Sequence, residues 1–194
     1  MKRAFDLVVA AGLLALLAPL LVAIAVVVRL DSAGPALFVS ERVGRGGRIF
    51  RFYKFRTMVV GAERLGRGLE VEKDDPRITR IGAFLRRTSL DELPQLLNIL
   101  KGEMSLVGPR PTVPSQVARY TERQRRRLDV APGVTGWAQV NGRNLLSWPE
   151  RIELDVWYVE NWSLALDAQI LLRTVPLVLR GRGLYGNDGA THDL

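Results

Sequence analysis

No cysteine occurs in this chain, and histidine occurs once, at His192. Without cysteine there is no disulfide, no thiolate zinc site and no cysteine nucleophile, and a lone histidine in the glycine-containing tail is a poor candidate for catalysis. Internal repeats and long linkers are missing too, so 194 residues make one globular domain with a real core plus a short appendage. Acidic charge is outnumbered: 28 Lys and Arg against 20 Asp and Glu leave a formal net charge of +8. Most of the positive charge is arginine, whose planar fork binds phosphate through paired charge-assisted hydrogen bonds. The partners this composition points to are anionic: nucleic acid, anionic lipid or phosphorylated small molecules.

Charge is also absent from residues 7–28, "LVVAAGLLALLAPLLVAIAVVV", between Lys2-Arg3 and Arg29. At about 1.5 Å per residue such a helix just crosses a hydrocarbon core of roughly 30 Å. Pro19 removes a helical hydrogen bond and predicts a kink near Ala18, leaving two apolar arms each too short to span alone. Basic residues at both ends draw both toward the cytoplasm. The residues by themselves leave a kinked span and a re-entrant hairpin open; a cleaved signal peptide, suggested by Ala23-Ile24-Ala25, is disfavoured because the apolar run continues through Val28.

In the polar part, residues 36–58 predict two strands around the turn Gly44-Arg45-Gly46-Gly47. In the second, Ile49, Arg51, Tyr53 and Phe55 share one face, and Phe50, Phe52, Lys54 and Arg56 the other. Residues 59–76 read as a loop closing on Asp74-Asp75-Pro76, ordinary turn chemistry. Residues 77–87 predict a short amphipathic helix ending at Arg86-Arg87.

The heptapeptide "SLDELPQ", residues 89–95, then sets Asp91 and Glu92 side by side just ahead of Pro94. Proline is tolerated in a first helical turn, so a helix is expected from near Asp91 to Gly102. Ser89 and Glu92 have the spacing of a capping box, which would make the acids simple cap residues. The next segment, "MSLVGPRP", residues 104–111, predicts a strand running into a proline-locked turn that presents Arg110, a placed anion ligand rather than a packing residue.

Residues 112–130 predict a helix whose closing arginine run reads as a solvated or lipid-facing surface. Residues 131–144, "APGVTGWAQVNGRN", are too rich in glycine for a helix and form either a ligand-facing loop with Asn141, Arg143 and Asn144 or a compact turn packed by Trp137. Ser147 and Glu150 repeat the capping-box spacing ahead of a helix, and residues 164–180 predict a final amphipathic helix suited to a membrane interface. The expected architecture is α+β: a helix-rich domain with a β-hairpin and amphipathic interfacial helices behind an apolar N-terminal helix.

Four stretches, "YKFRTM", "DPRITRIGAFLRRTSLDELPQLLNILKGEMSLVGPRP", "PGVTGWAQVNGRN" and "ELDVWYVENWSL", together with the basic-flanked apolar segment, resemble the bacterial sugar transferases. The likeness is to polyprenyl-phosphate phosphoglycosyl transferases of the monotopic kind, and it covers most of the chain in the family's order. It implies transfer of a sugar 1-phosphate from a UDP-sugar to polyprenyl phosphate at the cytoplasmic face of the bacterial inner membrane, releasing UMP. It further implies Asp91 as nucleophile, Glu92 as magnesium ligand, and Lys54, Arg86, Arg110, Arg143 and Asp155 as substrate-binding residues. It favours a re-entrant helix over residues 1–30, broken at Pro19, ahead of a cytoplasmic domain over residues 31–194. Ala18 stands where the family commonly has serine, and the length matches the small relatives that consist of the catalytic unit alone. No nucleic acid partner is expected on this reading. The competing class is a membrane-tethered basic module that binds nucleic acid or anionic lipid without chemistry, in which Asp91 and Glu92 only cap a helix.

Overall fold

The computed structural model describes residues 1–65, 71, 72, 74–180, 190 and 191. The apolar segment is helix α1, Lys2–Asp31, with Pro19 inside it. The interruption expected at Pro19 does not divide it; helical assignment continues through the proline as one element. Burial on α1 is confined to Asp6, Ala10, Ile24 and Val28, toward its two ends. Between them Leu16 and Val22 are largely exposed, which for aliphatic side chains on a polar protein means a face made for another apolar phase.

Both ends of α1 are fastened to the same body. At the start, Arg3 donates to the carbonyls of Ile99 at 2.6 Å and Leu100 at 3.2 Å. Lys2 pairs with Asp167 at 2.6 Å, and buried Asp6 accepts from Ser105 Oγ at 2.8 Å and the Leu106 amide at 3.2 Å. At the other end, Asp31 accepts from the Ile81 amide at 3.1 Å, and Arg56 donates to the Ser32 carbonyl at 2.8 Å and to the Val28 carbonyl at 3.3 Å.

Strands β1 (Leu37–Val43) and β2 (Ile49–Phe55) form the expected antiparallel hairpin, in register from Leu37 opposite Phe55 to Val43 opposite Ile49. Gly46 and Gly47 at its turn have φ of 64° and 79°, open to glycine without steric cost. Phe50 and Phe52 enter the main core on one face, while Phe55 on the other packs with Ile24 and Val28 of α1 and Leu85.

Short strand β3 (Val71–Glu72) falls in the expected loop and pairs with β6 (Ala190–Thr191). Helix α2 covers Arg80–Thr88, starting later than residue 77 because the Thr79 side chain accepts from the Gly82 amide and caps it. Arg77 is held instead by Asp75, at 2.6 Å. A 3-10 turn, Leu90–Glu92, precedes α3 (Gln95–Lys101), so the acid pair stands before the helix rather than in its first turn.

Strand β4 (Ser105–Val107) lies parallel to β5 (Gly133–Thr135). The chain between them is not one helix over 112–130. It folds as α4 (Pro114–Val117), α5 (Glu122–Arg125) and a 3-10 turn over Arg126–Leu128, because Thr121 and Gln124 form a capping box that restarts the helix after Tyr120. Then come α6 (Trp137–Val140), a four-residue helix in the stretch expected to avoid helix, α7 (Trp148–Glu160) and α8 (Leu164–Arg180). Glu150 accepts from the Ser147 amide at 2.7 Å, as its spacing predicts. His192 lies outside the described residues.

The β4–β5 contact is set by glycine. A Cβ on Gly133 would stand 2.1 Å from the Gly108 nitrogen and 2.4 Å from the Thr135 carbonyl oxygen. Gly133→Ala is expected to destabilise by about 1–3 kcal/mol, the usual cost of overpacking. Gly12→Ala, on an open face of α1 with nothing within 4 Å, serves as the neutral control in thermal unfolding of detergent-solubilised protein.

Candidate active site

Helix α2 ends at Ser89, whose φ of 57° is left-handed and whose amide returns to Arg86 and Leu85. Among the described residues only Ser89 and Arg143 (φ 53°) are non-glycine residues with positive φ. Both line one cavity of about 400 Å³, and backbone conformations that cost about 1–2 kcal/mol each tend to collect where a site dictates them. The capping box expected of Ser89 and Glu92 does not form: Ser89 makes no side-chain cap bond. The 3-10 turn instead points Asp91 and Glu92 into the cavity.

Glu92 is an ion-pair hub. Its Oε1 accepts from Lys54 at 3.0 Å and Arg110 at 2.8 Å, and Oε2 takes a second Arg110 N–H at 3.3 Å. Burial pushes its carboxyl upward, but Arg110 and Lys54 outweigh that and hold it well below the usual carboxylate range. Asp91 is 7% exposed, and Lys54 stands 3.9 Å from it. Burial pushes the Asp91 carboxyl up to about 6, with Glu92 adding to the rise while Lys54, Arg86 and Arg110 pull against it. The environments of two adjacent acids thus separate their roles: Glu92 stays a fixed anion, and Asp91 is a more basic carboxylate, ionised above about pH 6.

The seven side chains assigned by the resemblance, Lys54, Arg86, Asp91, Glu92, Arg110, Arg143 and Asp155, line this cavity; of the two asparagines named for a ligand-facing loop, Asn144 lines it and Asn141 instead donates to the Trp137 carbonyl. Asp155 meets it differently from the rest, because its Oδ2 is paired at 2.5 Å with buried Arg127. Arg127 also lines the cavity, as do Gln139, Asn144, Trp148 and Arg151. Arg127 was concealed in the run Arg125-Arg126-Arg127, which looked like solvated surface. A signal was present nonetheless: Asp155 sits between Leu154 and Val156 in an apolar stretch, and a buried carboxylate demands a buried cation. The cavity also has an apolar lining, from Leu96, Leu106, Val134, Leu177 and Val178, with Leu13 of α1 among them.

Among the described residues no group of three or more His, Asp or Glu side chains gathers to cage an ion. Glu92, the carboxylate of the pair that is held ionised, suits a magnesium ion bound by one protein carboxylate with the remaining oxygens from water and phosphate.

A buried acid pair surrounded by arginine and lysine, in a cavity that Leu13 of the apolar helix also lines, is the site of a protein that handles anionic substrates. The chain belongs to the bacterial sugar transferase family, which it matches over residues 1–181. It is 47% identical over 191 residues to the uncharacterized sugar transferase EpsL of Bacillus subtilis, covering 98% of this chain and 93% of that protein. Identity is 45% to the undecaprenyl-phosphate galactose phosphotransferase of Salmonella typhimurium, over 95% of this chain and 42% of that one. It is 43% to the undecaprenyl-phosphate glucose phosphotransferase of Komagataeibacter xylinus, over 95% of this chain and 37% of that one. The chain therefore spans nearly all of the first relative and about two fifths of the other two.

Because the folded-state pKa of Asp91 lies above its ordinary 3.8, the ionised carboxylate opposes folding above about pH 6, and the opposition fades as pH falls from 6 toward 4. Asp91→Asn is expected to stabilise the chelator-treated protein at pH 8 by on the order of 1–3 kcal/mol. Melting temperatures of both proteins at pH 8 and pH 5 check this; an advantage that does not shrink at pH 5 excludes Asp91 ionisation as its origin.

Proposed function

We propose that the protein transfers a sugar 1-phosphate from a UDP-sugar to a polyprenyl phosphate such as undecaprenyl phosphate, yielding the polyprenyl diphospho-sugar and UMP. The observation that carries this reading is the division between Asp91 and Glu92: one buried carboxylate with a raised pKa, beside one held ionised by Lys54 and Arg110. The names of the Salmonella and Komagataeibacter relatives support the lipid phosphate acceptor and a hexose donor. The tethered-module alternative needs both acids as solvated caps, whereas Asp91 is buried and Glu92 is paired twice.

In the first step an Asp91 oxygen attacks the phosphorus that carries the sugar. The bond from that phosphorus to the bridging oxygen breaks, UMP leaves, and an aspartyl phosphosugar remains. In the second step an oxygen of polyprenyl phosphate attacks the same phosphorus and frees the Asp91 carboxylate. Asp91 brings negative charge toward anionic oxygens, so neutralisation governs the barrier. Arg86, Arg110, Arg143 and Lys54 supply it from the protein. Magnesium held by Glu92 would supply further neutralisation of the diphosphate. Asp155 contributes through the cation it pairs.

The fastening of both ends of α1 to one body supports a helix that enters and leaves by the same face of the membrane, with Pro19 as a bend inside one helical element rather than a break between two, and with the domain over residues 31–194 on the cytoplasmic side of the inner membrane. Lys2, Arg3 and Arg29 at the ends favour that side. The reading assigns the protein a membrane step early in the assembly of a bacterial glycoconjugate.

UMP release from a panel of UDP-sugars, glucose and galactose included, tests the chemistry in detergent with and without undecaprenyl phosphate and magnesium. Lipid- and magnesium-dependent release from at least one donor is expected, with Asp91→Asn inactive and Glu92→Gln needing more magnesium or inactive; undiminished turnover in Asp91→Asn would refute the covalent route. The absence of native cysteine makes a topology test clean. Single cysteines at positions 2 and 30 are expected to react with an impermeant thiol reagent from the same side, and labelling from opposite sides would refute the re-entrant helix.

A further inference from the structure

In the turn that carries Arg110, Gly108-Pro109-Arg110-Pro111, the Pro109 and Arg110 carbonyls each accept a hydrogen bond, and so does the Thr112 carbonyl just beyond it. Gly133 donates to the Pro109 carbonyl at 2.9 Å, and Val43 to that of Thr112 at 2.8 Å. The Arg110 carbonyl between them accepts from a side chain, Arg127, whose Nη2 lies 2.9 Å away. The same nitrogen bonds Asp155 Oδ2 at 2.5 Å, and Nη1 donates to the Tyr120 hydroxyl. The rings of Tyr120 and Trp148 lie within 5.6 and 5.4 Å of the guanidinium carbon. Both terminal nitrogens of Arg127 are thus engaged inside the protein and only 3% of the residue is exposed, its Nε being buried without a partner among the described residues, so it borders the cavity as an internally held cation.

We propose that Arg127 and Asp155 are positioning residues that act through Arg110. Asp155 of α7 fixes the Arg127 fork, the fork fixes the Arg110 carbonyl, and the proline-flanked backbone passes that constraint to the Arg110 side chain, which meets both oxygens of Glu92. A planar guanidinium is needed, since one group must reach a carboxylate, a hydroxyl and a carbonyl together; lysine has the charge without the fork. The proposal rests on the phosphoglycosyl transfer reading for its kinetic consequence but not for its structural one.

The test therefore has two arms. In hydrogen–deuterium exchange, Asp155→Asn and Arg127→Lys are each expected to speed exchange severalfold at the amides of Gly108, Arg110, Thr112 and Val113, with α3 unchanged. Should Asp155→Asn not fold, Arg127→Lys, which retains the charge, carries this arm alone. In turnover, Arg127→Lys and Arg110→Lys are each expected to lose about tenfold in kcat or more, as supporting residues of a site commonly do. The double variant is expected to fall within about threefold of Arg110→Lys, because residues acting through one another are not additive. Unchanged exchange at those amides, or multiplied losses in the double variant, would overturn the proposal. A wild type that releases no UMP from any donor, with the exchange response intact, overturns the proposed reaction and leaves the positioning role standing.

Discussion

Two carboxylates held side by side out of water repel one another and lose their hydration, and this site exists only because cations are brought to them. Lys54 arrives from β2, Arg110 from the turn after β4 and Arg86 from the end of α2, three segments far apart in the chain. Removing one partner of a buried pair leaves a charge uncompensated, at a cost of about 3–5 kcal/mol. The acid pair is thus a constraint on the whole fold: the hairpin, the parallel strand pair and α2 have to converge on the 3-10 turn at Leu90–Glu92. The convergence is unequal. Glu92 receives direct hydrogen bonds from two cations, while Asp91 has Lys54 only at 3.9 Å. That inequality divides a basic carboxylate from a fixed anion.

Backbone proximity gives the convergence its accuracy. Gly133 lets β5 approach the Gly108 backbone at distances no side chain would permit, and Gly108 in turn donates to the Thr135 carbonyl at 2.9 Å. Arg110 follows directly. With Pro109 and Pro111 limiting φ and a donor on each carbonyl from 109, 110 and 112, the arginine leaves a rigid base, which reduces the entropy lost when its fork engages a ligand.

Much of this was legible in the residues. Alternation marked the hairpin, and the proline flanks marked Arg110. The resemblance, rather than spacing, set Asp91 and Glu92 apart from ordinary caps. Spacing alone misled at Ser89, because the serine that spells a capping box here closes α2 in a left-handed conformation usually left to glycine, and Glu92 finds its partners in Lys54, 38 positions away, and Arg110, 18 away. The 112–130 segment misled for a related reason. Its arginines are locally equivalent, yet Arg123 and Arg126 sit on exposed surface ion pairs while Arg127 is buried against Asp155. A pattern of period 3.6 cannot register a partner 28 residues on. Pro19 is a third case. Its local preference is to break a helix, and α1 carries it as one element, with the ends bound to the body by Arg3, Asp6, Asp31 and Arg56.

On the proposed reading one cavity has to serve two unlike substrates. Its charged side suits a nucleotide sugar from water, and its apolar side, with Leu13 of the surface helix in the wall, suits a lipid phosphate. On the proposed two-step route these need not be bound together. UMP departs from the phosphorus opposite to Asp91, and the incoming lipid phosphate must attack along that same line to displace Asp91. One set of cations then neutralises the leaving phosphate in the first step and the attacking phosphate in the second. A direct transfer would need two phosphate subsites on opposite sides of the phosphorus and a second set of cations. Here Lys54, Arg86, Arg110 and Arg143 all line one cavity, in keeping with a single set of charges used in both steps of the proposed route.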